Sequence, residues 1–199
     1  MSRDSRHESV LIPGTLPSQG RLKGIARHVI GLVLVGVLIG LACLPLNLVD
    51  RIQAQLYALL PTTTTEDWTL NGLMVAFMPL VVMPTLLFLQ RGPWHAGAGS
   101  GIPSTMNGLQ DPSQLPKAMA ASATVQRGVL WSIATMAMFP LGREGPVVQF
   151  GAAVARGCHR RFREWLPSLN ERQIVAIGGG AGLAGGFTTP LLGAVFMLE

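Results

Sequence analysis

Two short stretches carry residues able to do chemistry in surroundings where such residues are expensive. One is 141-LGREGPVV-148, which sets Arg143 and Glu144 between glycines inside an apolar run. The other is 99-GSGIP-103, which sets the hydroxyl of Ser100 between Gly99 and Gly101. A charge at mid-bilayer depth costs at least about 2.5 to 3.5 kcal/mol, so Glu144 is functional or paired by default. A carboxylate beside the N–H groups of a helix opening at Pro146 occupies the place a passing anion would take. Ionised, it competes with the anion; protonated, it leaves, which makes it a gate and a proton carrier together. The plainer alternative has Glu144 pairing with Arg143 or capping the helix. Ser100 can donate to an anion without adding charge, or else serve as an N-cap for a helix entered at Pro103.

A shared grammar surrounds these residues. A Gly or Ser/Thr cluster, then a proline, then an apolar helical piece occurs at 99-GSGIP-103, 142-GREGP-146 and 185-GGFTTP-190. Proline suits the first turn of a helix, where its missing N–H would be unpaired anyway. A helix that begins inside a membrane aims free N–H groups at whatever lies ahead, and irregular backbone at that depth is tolerated only where it is buried or lines a cavity. Broken half-helices bind anionic groups in several transporter folds without a full counter-charge, which leaves the anion free to depart.

The composition asks for a bilayer. Of 199 residues, 49% are apolar and 13% charged, with mean hydropathy +0.42, against about 25% charged in an average soluble domain. Uncharged or nearly uncharged runs cover 29–49, 70–90, 128–142 and 173–198. The first two are long enough to span, the last two are interrupted, and the first is too long for a signal-peptide core. The net charge of +5 is placed by topology. Arg3, Arg6, Arg21, Lys23 and Arg27 precede the first span, and Arg156, Arg160, Arg161 and Arg163 follow GREGP, while Glu66 and Asp67 sit in 61-PTTTTEDW-68. Basic loops stay in the cytoplasm, so the N-terminus and the loops at Arg91 and 156–164 are inside and 61–68 is outside. Only Phe162 and Trp165 accompany the Arg cluster, which disfavours nucleic acid as a partner.

The elements follow. Residues 1–20 read as a disordered cytoplasmic tail and 21–199 as the membrane part. Gly36 and Gly40 in the first helix, and Gly178, Gly182 and Gly186 in the last run, have the small-xxx-small spacing that lets helices approach closely. The stretch 92–116 is irregular, 117–139 a helix, and 146–157 a helix of about 18 Å that cannot span alone. Cys43 and Cys158 read as unpaired thiols. His7, His28, His95 and His159 are scattered, giving neither a hydrolase constellation nor a metal site, and no cofactor is expected.

Taken together, GSGIP at 99–103, GREGPVVQFGAAVARG at 142–157 and AGLAGGFTTPLLGAVFMLE at 181–199 resemble the CLC chloride channels and proton-coupled chloride transporters, over about residues 25–199. The resemblance implies an all-α membrane protein of broken, tilted helices, the first of two inverted repeats, multi-pass in a cell inner or plasma membrane. It further implies a homodimer with a separate pathway for chloride in each subunit, exchanging protons in some members. By that resemblance chloride meets Ser100, Gly101 and Ile102 at the central site and the amides around Arg143, Glu144 and Gly145 at the outer one, with Glu144 as gate. Members specialised for fluoride differ at the serine, so Ser100 resembles the chloride type. The family's second half carries a GxFxP motif and a tyrosine that close the site, and its proton relay uses the position after the one matched by Glu199. The sequence is accordingly expected to be the N-terminal part of a longer protein.

Two other readings compete. Gly180, Gly182 and Gly185 have G-x-G-x-x-G spacing after a strand-like run, with Glu199 at about the distance of a ribose-binding acid, as in a membrane-associated dinucleotide oxidoreductase. Pro190 and Gly193 interrupt the helix that motif needs. The other is a structural membrane subunit that packs through its glycines and moves no ion.

Overall fold

A computed structural model describes residues 19–59, 70–139, 141–166 and 169–197. Eight α-helices and no strands are found among them: α1 (Gln19–Leu59), α2 (Leu70–Arg91), α3 (Ile102–Gln110), α4 (Leu115–Ala118), α5 (Ala121–Met136), α6 (Glu144–Arg161), α7 (Glu171–Phe187) and α8 (Pro190–Phe196). The acidic loop 61–68 and nearly all of the expected N-terminal tail lie outside the described residues.

The apolar run at 29–49 forms a much longer helix than its own extent. α1 has 41 residues, about 61 Å at 1.5 Å per residue, roughly twice a hydrocarbon core. The flanks explain this: 21-RLKGIARH-28 and 51-RIQAQLYAL-59 are rich in Arg, Lys, Leu, Ala and Gln, all good helix formers, so the helix continues beyond the apolar part. By length and composition, α1 is the one described helix fit to cross a membrane, over Leu22–Leu59.

Further boundaries differ from expectation. The helix expected over 117–139 is broken at Met119 and Ala120 and ends where Met138 takes φ 64°. The helix expected from Pro146 starts two residues earlier at Glu144 and runs 18 residues, about 27 Å. Pro146 is still in the first turn, where no backbone partner is lost. Between α3 and α4, Ser113 donates through its backbone N–H to the Asp111 carboxylate at 3.0 Å. Hydrogen bonds from Ser113 hold that carboxyl below its usual range.

The core sits where α6 and α7 run antiparallel. A Cβ at Gly151 would lie 2.8 Å from the Cα of Gly182, one at Gly186 would lie 2.7 Å from Val147 Cγ1, and one at Gly178 would collide with Ala155. Small residues facing small residues bring the two backbones into contact. Around that seam Val147, Val148, Ala152, Ala155, Ile174 and Val175 are fully buried. α1 covers it with one stripe, Val35, Ile39, Cys43 and Leu46, at helical spacing. Asn47 adds a hydrogen bond to the Gly185 carbonyl at 3.4 Å. The remaining faces of α1 and α2 are bare and apolar: Val33 and Leu48 are each 58% exposed and Val81 71%. Contiguous exposed apolar surface of this kind belongs against lipid or another protein.

Candidate functional site

The loop 99-GSGIP-103 docks on the first turn of α6. Gly145 lies so close to the Ser100 carbonyl that any Cβ there would overlap it. Gly101 is the N-cap of α3 with φ 101°, a conformation L side chains rarely adopt. A Cβ on it would lie 3.0 Å from the Gly145 carbonyl and 3.1 Å from Arg127 Cδ. Thr105 locks the cap, donating to the Gly101 carbonyl through its hydroxyl at 2.9 Å and its N–H at 3.0 Å. The two glycine-proline breaks, far apart in function-neutral terms of sequence, are thus one locus.

Ser100, Gly101 and Ile102 lie together at the start of α3, with Ile102 its first residue and Pro103 its second. Because Gly101 is the cap, the Ser100 hydroxyl is not used for capping, and Ser100 is exposed. Glu144 is the first residue of α6, exposed, with its carboxylate folded back against Gly142. Pairing of Glu144 with Arg143 is not what forms. The Arg143 guanidinium binds the Asp50 carboxylate of α1 and stacks 4.6 Å from the centroid of Phe187 at the end of α7. Arg143 therefore ties three helices at this end, and the Glu144 carboxylate, folded over Gly142, makes no ion pair among the described residues.

Three residues at the locus escaped the sequence reading. Arg127 of α5 is 4% exposed, and its guanidinium donates from Nε to the Gly99 carbonyl at 3.1 Å and from Nη2 to the Ala98 carbonyl at 2.8 Å. Its Nη1 has no hydrogen-bond partner. Gln149 of α6 is fully buried, donates from Nε2 to the Ala118 carbonyl at 2.8 Å, and leaves Oε1 unbonded. Trp131 donates from Nε1 to the Gly142 carbonyl at 3.2 Å, fixing the approach to α6. A signal for Arg127 did exist: it is the sole charge between Lys117 and Arg143, and a buried cation needs partners.

Ser100, Arg127, Trp131, Gly142 and Pro146 line one side of a cavity of about 330 Å³, closed on the other by Met83 and Leu86 of α2. Its walls are mostly apolar, and of the expected anion-binding residues Ser100 lines it whereas Gly101, Ile102, Arg143, Glu144 and Gly145 do not. No group of three or more His, Cys, Asp or Glu that could hold a metal is found among the described residues.

The dinucleotide reading does not survive the geometry. Gly180, Gly182 and Gly185 lie inside α7, continuous from Glu171 to Phe187, with no strand before them and no turn between them. Gly180 is closed off by α8, where the Gly193 carbonyl would be 2.8 Å from its Cβ. Gly180 and Gly182 are packed too closely for a phosphate to approach them.

Residues 73–199 match the family described as voltage gated chloride channel. The chain is 29% identical over 183 residues to chloride channel protein CLC-a of Arabidopsis thaliana, and equally to chloride channel protein CLC-b of the same plant. Each alignment covers 83% of this chain and 23% of the relative, so the chain spans about a quarter of the length of these curated relatives. No solved structure matches.

Proposed function

Since this chain belongs to the voltage-gated chloride channel family, and so to an integral membrane protein whose relatives are ion pathways rather than enzymes, we propose that it supplies the first half of a chloride pathway. Chloride would meet Ser100, Gly101 and Ile102 on one side and the amides at Arg143, Glu144 and Gly145 on the other. Glu144 is the gate, and a proton on its carboxylate opens it. The observation that supports this reading is the close approach of Gly145, the residue after Glu144, to the Ser100 carbonyl.

Around that locus residues 21–199 form the first of two inverted repeats, multi-pass, with the N-terminus in the cytoplasm. The whole protein works as a homodimer among lipids, each subunit with its own pathway. Arg143 contributes its backbone to the anion site, because its side chain is held by Asp50 and Phe187.

The test uses the full-length protein in liposomes with an imposed chloride gradient, following chloride and proton movement in wild type and Glu144→Gln. The amide stands in for the protonated gate, so chloride flux persists and its pH dependence disappears. Proton movement driven by chloride in the wild type identifies an exchanger, and chloride flux alone a channel. Silence of Glu144→Gln in every flux assay would return the locus to a packing role. Ser100→Ala removes one neutral donor, worth about 1 kcal/mol, and shifts anion selectivity while leaving the fold intact.

A further inference from the structure

The far end of α6 presents a second feature, unrelated to the GSGIP–GREGP locus. Between the C-terminal turn of α6 and the N-terminus of α7 lies a cleft of about 630 Å³, lined by Arg156, His159, Arg160, Arg163, Asn170 and Glu171 among others. Its two walls are held rigidly. Arg156 is 9% exposed and donates from Nε to Glu171 at 2.6 Å, and the His159 ring meets the Leu169 carbonyl through Nε2 at 2.9 Å. Asn170 caps α7 in a reciprocal box with Gln173, its Oδ1 accepting from the Gln173 N–H at 2.8 Å.

The charges in this cleft do not cancel. Glu171 is engaged by Arg156, which leaves the guanidinium groups of Arg160 and Arg163 exposed and without an ion pair among the described residues. The neighbouring Arg161 lies over its own neighbour Phe162, 5.7 Å from the ring centroid. Charge retention in the cytoplasm needs only scattered cations, not a walled cleft. Two free planar forks above a preorganised polar floor match the geometry of phosphate oxygens, which guanidinium groups bind bidentately. Basic pockets between membrane helices at the water interface take phosphorylated headgroups by this same chemistry.

We propose that the Arg160–Arg163 cleft is a binding site for a phosphate-bearing anion, either a phosphorylated lipid headgroup or a free polyphosphate. It rests only on the membrane location of the family and not on the assignment of Glu144. Arg160 and Arg163 hold the phosphate, and the Arg156–Glu171 pair and His159 hold the walls. Along α6, Arg160 lies about 24 Å from Glu144.

The experiment takes the full-length protein into phosphatidylcholine nanodiscs with and without a phosphatidylinositol phosphate, and counts retained lipid by native mass spectrometry. A parallel arm titrates inorganic pyrophosphate and reads the rise in Tm. Wild type retains the phosphoinositide, pyrophosphate displaces it, and Arg160→Gln with Arg163→Gln weakens binding about tenfold or more. Arg91→Gln, an exposed charge at the end of α2, leaves binding unchanged. Binding of pyrophosphate with no lipid retained would assign the cleft to a free phosphate; lipid retention without pyrophosphate binding would assign it to the headgroup. Absence of both, or an equal loss in Arg91→Gln, would overturn the proposal.

Discussion

α1 and α7 carry the same glycine spacing and do opposite things with it. In α7, Gly178, Gly182 and Gly186 press on α6 so closely that no side chain fits. In α1, neither Gly36 nor Gly40 has any atom within 4 Å of where its Cβ would be, and Gly36 is exposed. The expectation of close packing through small residues therefore holds along α7 and, in α1, does not hold at Gly36. What decides is the opposite surface. α6 offers Gly151, Ala155 and the Val147 carbonyl to α7, whereas α1 meets its neighbours through Val35, Ile39, Cys43 and Leu46, with Gly36 facing open space and the Cα of Gly40 only 3.8 Å from where a Gly185 Cβ would lie. Spacing permits approach; only a partner with matching small residues uses it.

Identical substitutions in the two helices should break or sharpen this contrast. The largest effect is expected for Gly182→Ala, whose methyl would overlap the Val147 carbonyl of α6. Backbone cannot give way as a side chain end can, so a loss of about 3 kcal/mol is expected, the upper part of the overpacking range. Thermal unfolding of the full-length protein in detergent measures it, and an unchanged Tm would mean the seam is looser than described. Gly145→Ala should cost somewhat less, about 2 kcal/mol, because its methyl opposes the Ser100 carbonyl at the edge of the fold rather than inside the α6–α7 seam. Its signature is altered anion selectivity accompanying the fall in Tm. Smallest, and opposite in sign, is Gly36→Ala, which gains about 0.5 kcal/mol through helix propensity alone. A clear fall in Tm there would reveal a partner on that face of α1.

The helix starts at the candidate site were readable because their local chemistry is unusual. Gly101 at positive φ, Pro103, Pro146 and Pro190 in first turns, and the lone carboxylate in GREGP each break a local rule, and together they mark all three helix starts. The resemblance built on those motifs agrees with the family match over 73–199. What stayed hidden depends on pairing across distance. Arg143 and Asp50 are 93 positions apart, and Arg127 reaches carbonyls 28 and 29 positions away, separations that leave no period in a sequence. The extent of α1 was hidden for another reason: charge ends an apolar run but does not end a helix whose flanking residues are good formers.

The seam between α6 and α7 also orders the assembly of the chain in time. It closes within the single stretch 144–187, so the loop to be closed is short and its entropic cost low. α1 is synthesised first, yet its contacts with α7 join residues far apart in sequence, 139 positions between Cys43 and the Gly182 carbonyl. The stripe Val35, Ile39, Cys43 and Leu46 must therefore wait, facing lipid, until a finished hairpin arrives to cover it. That interval is when the nascent protein is most open to mispairing and to quality-control proteases.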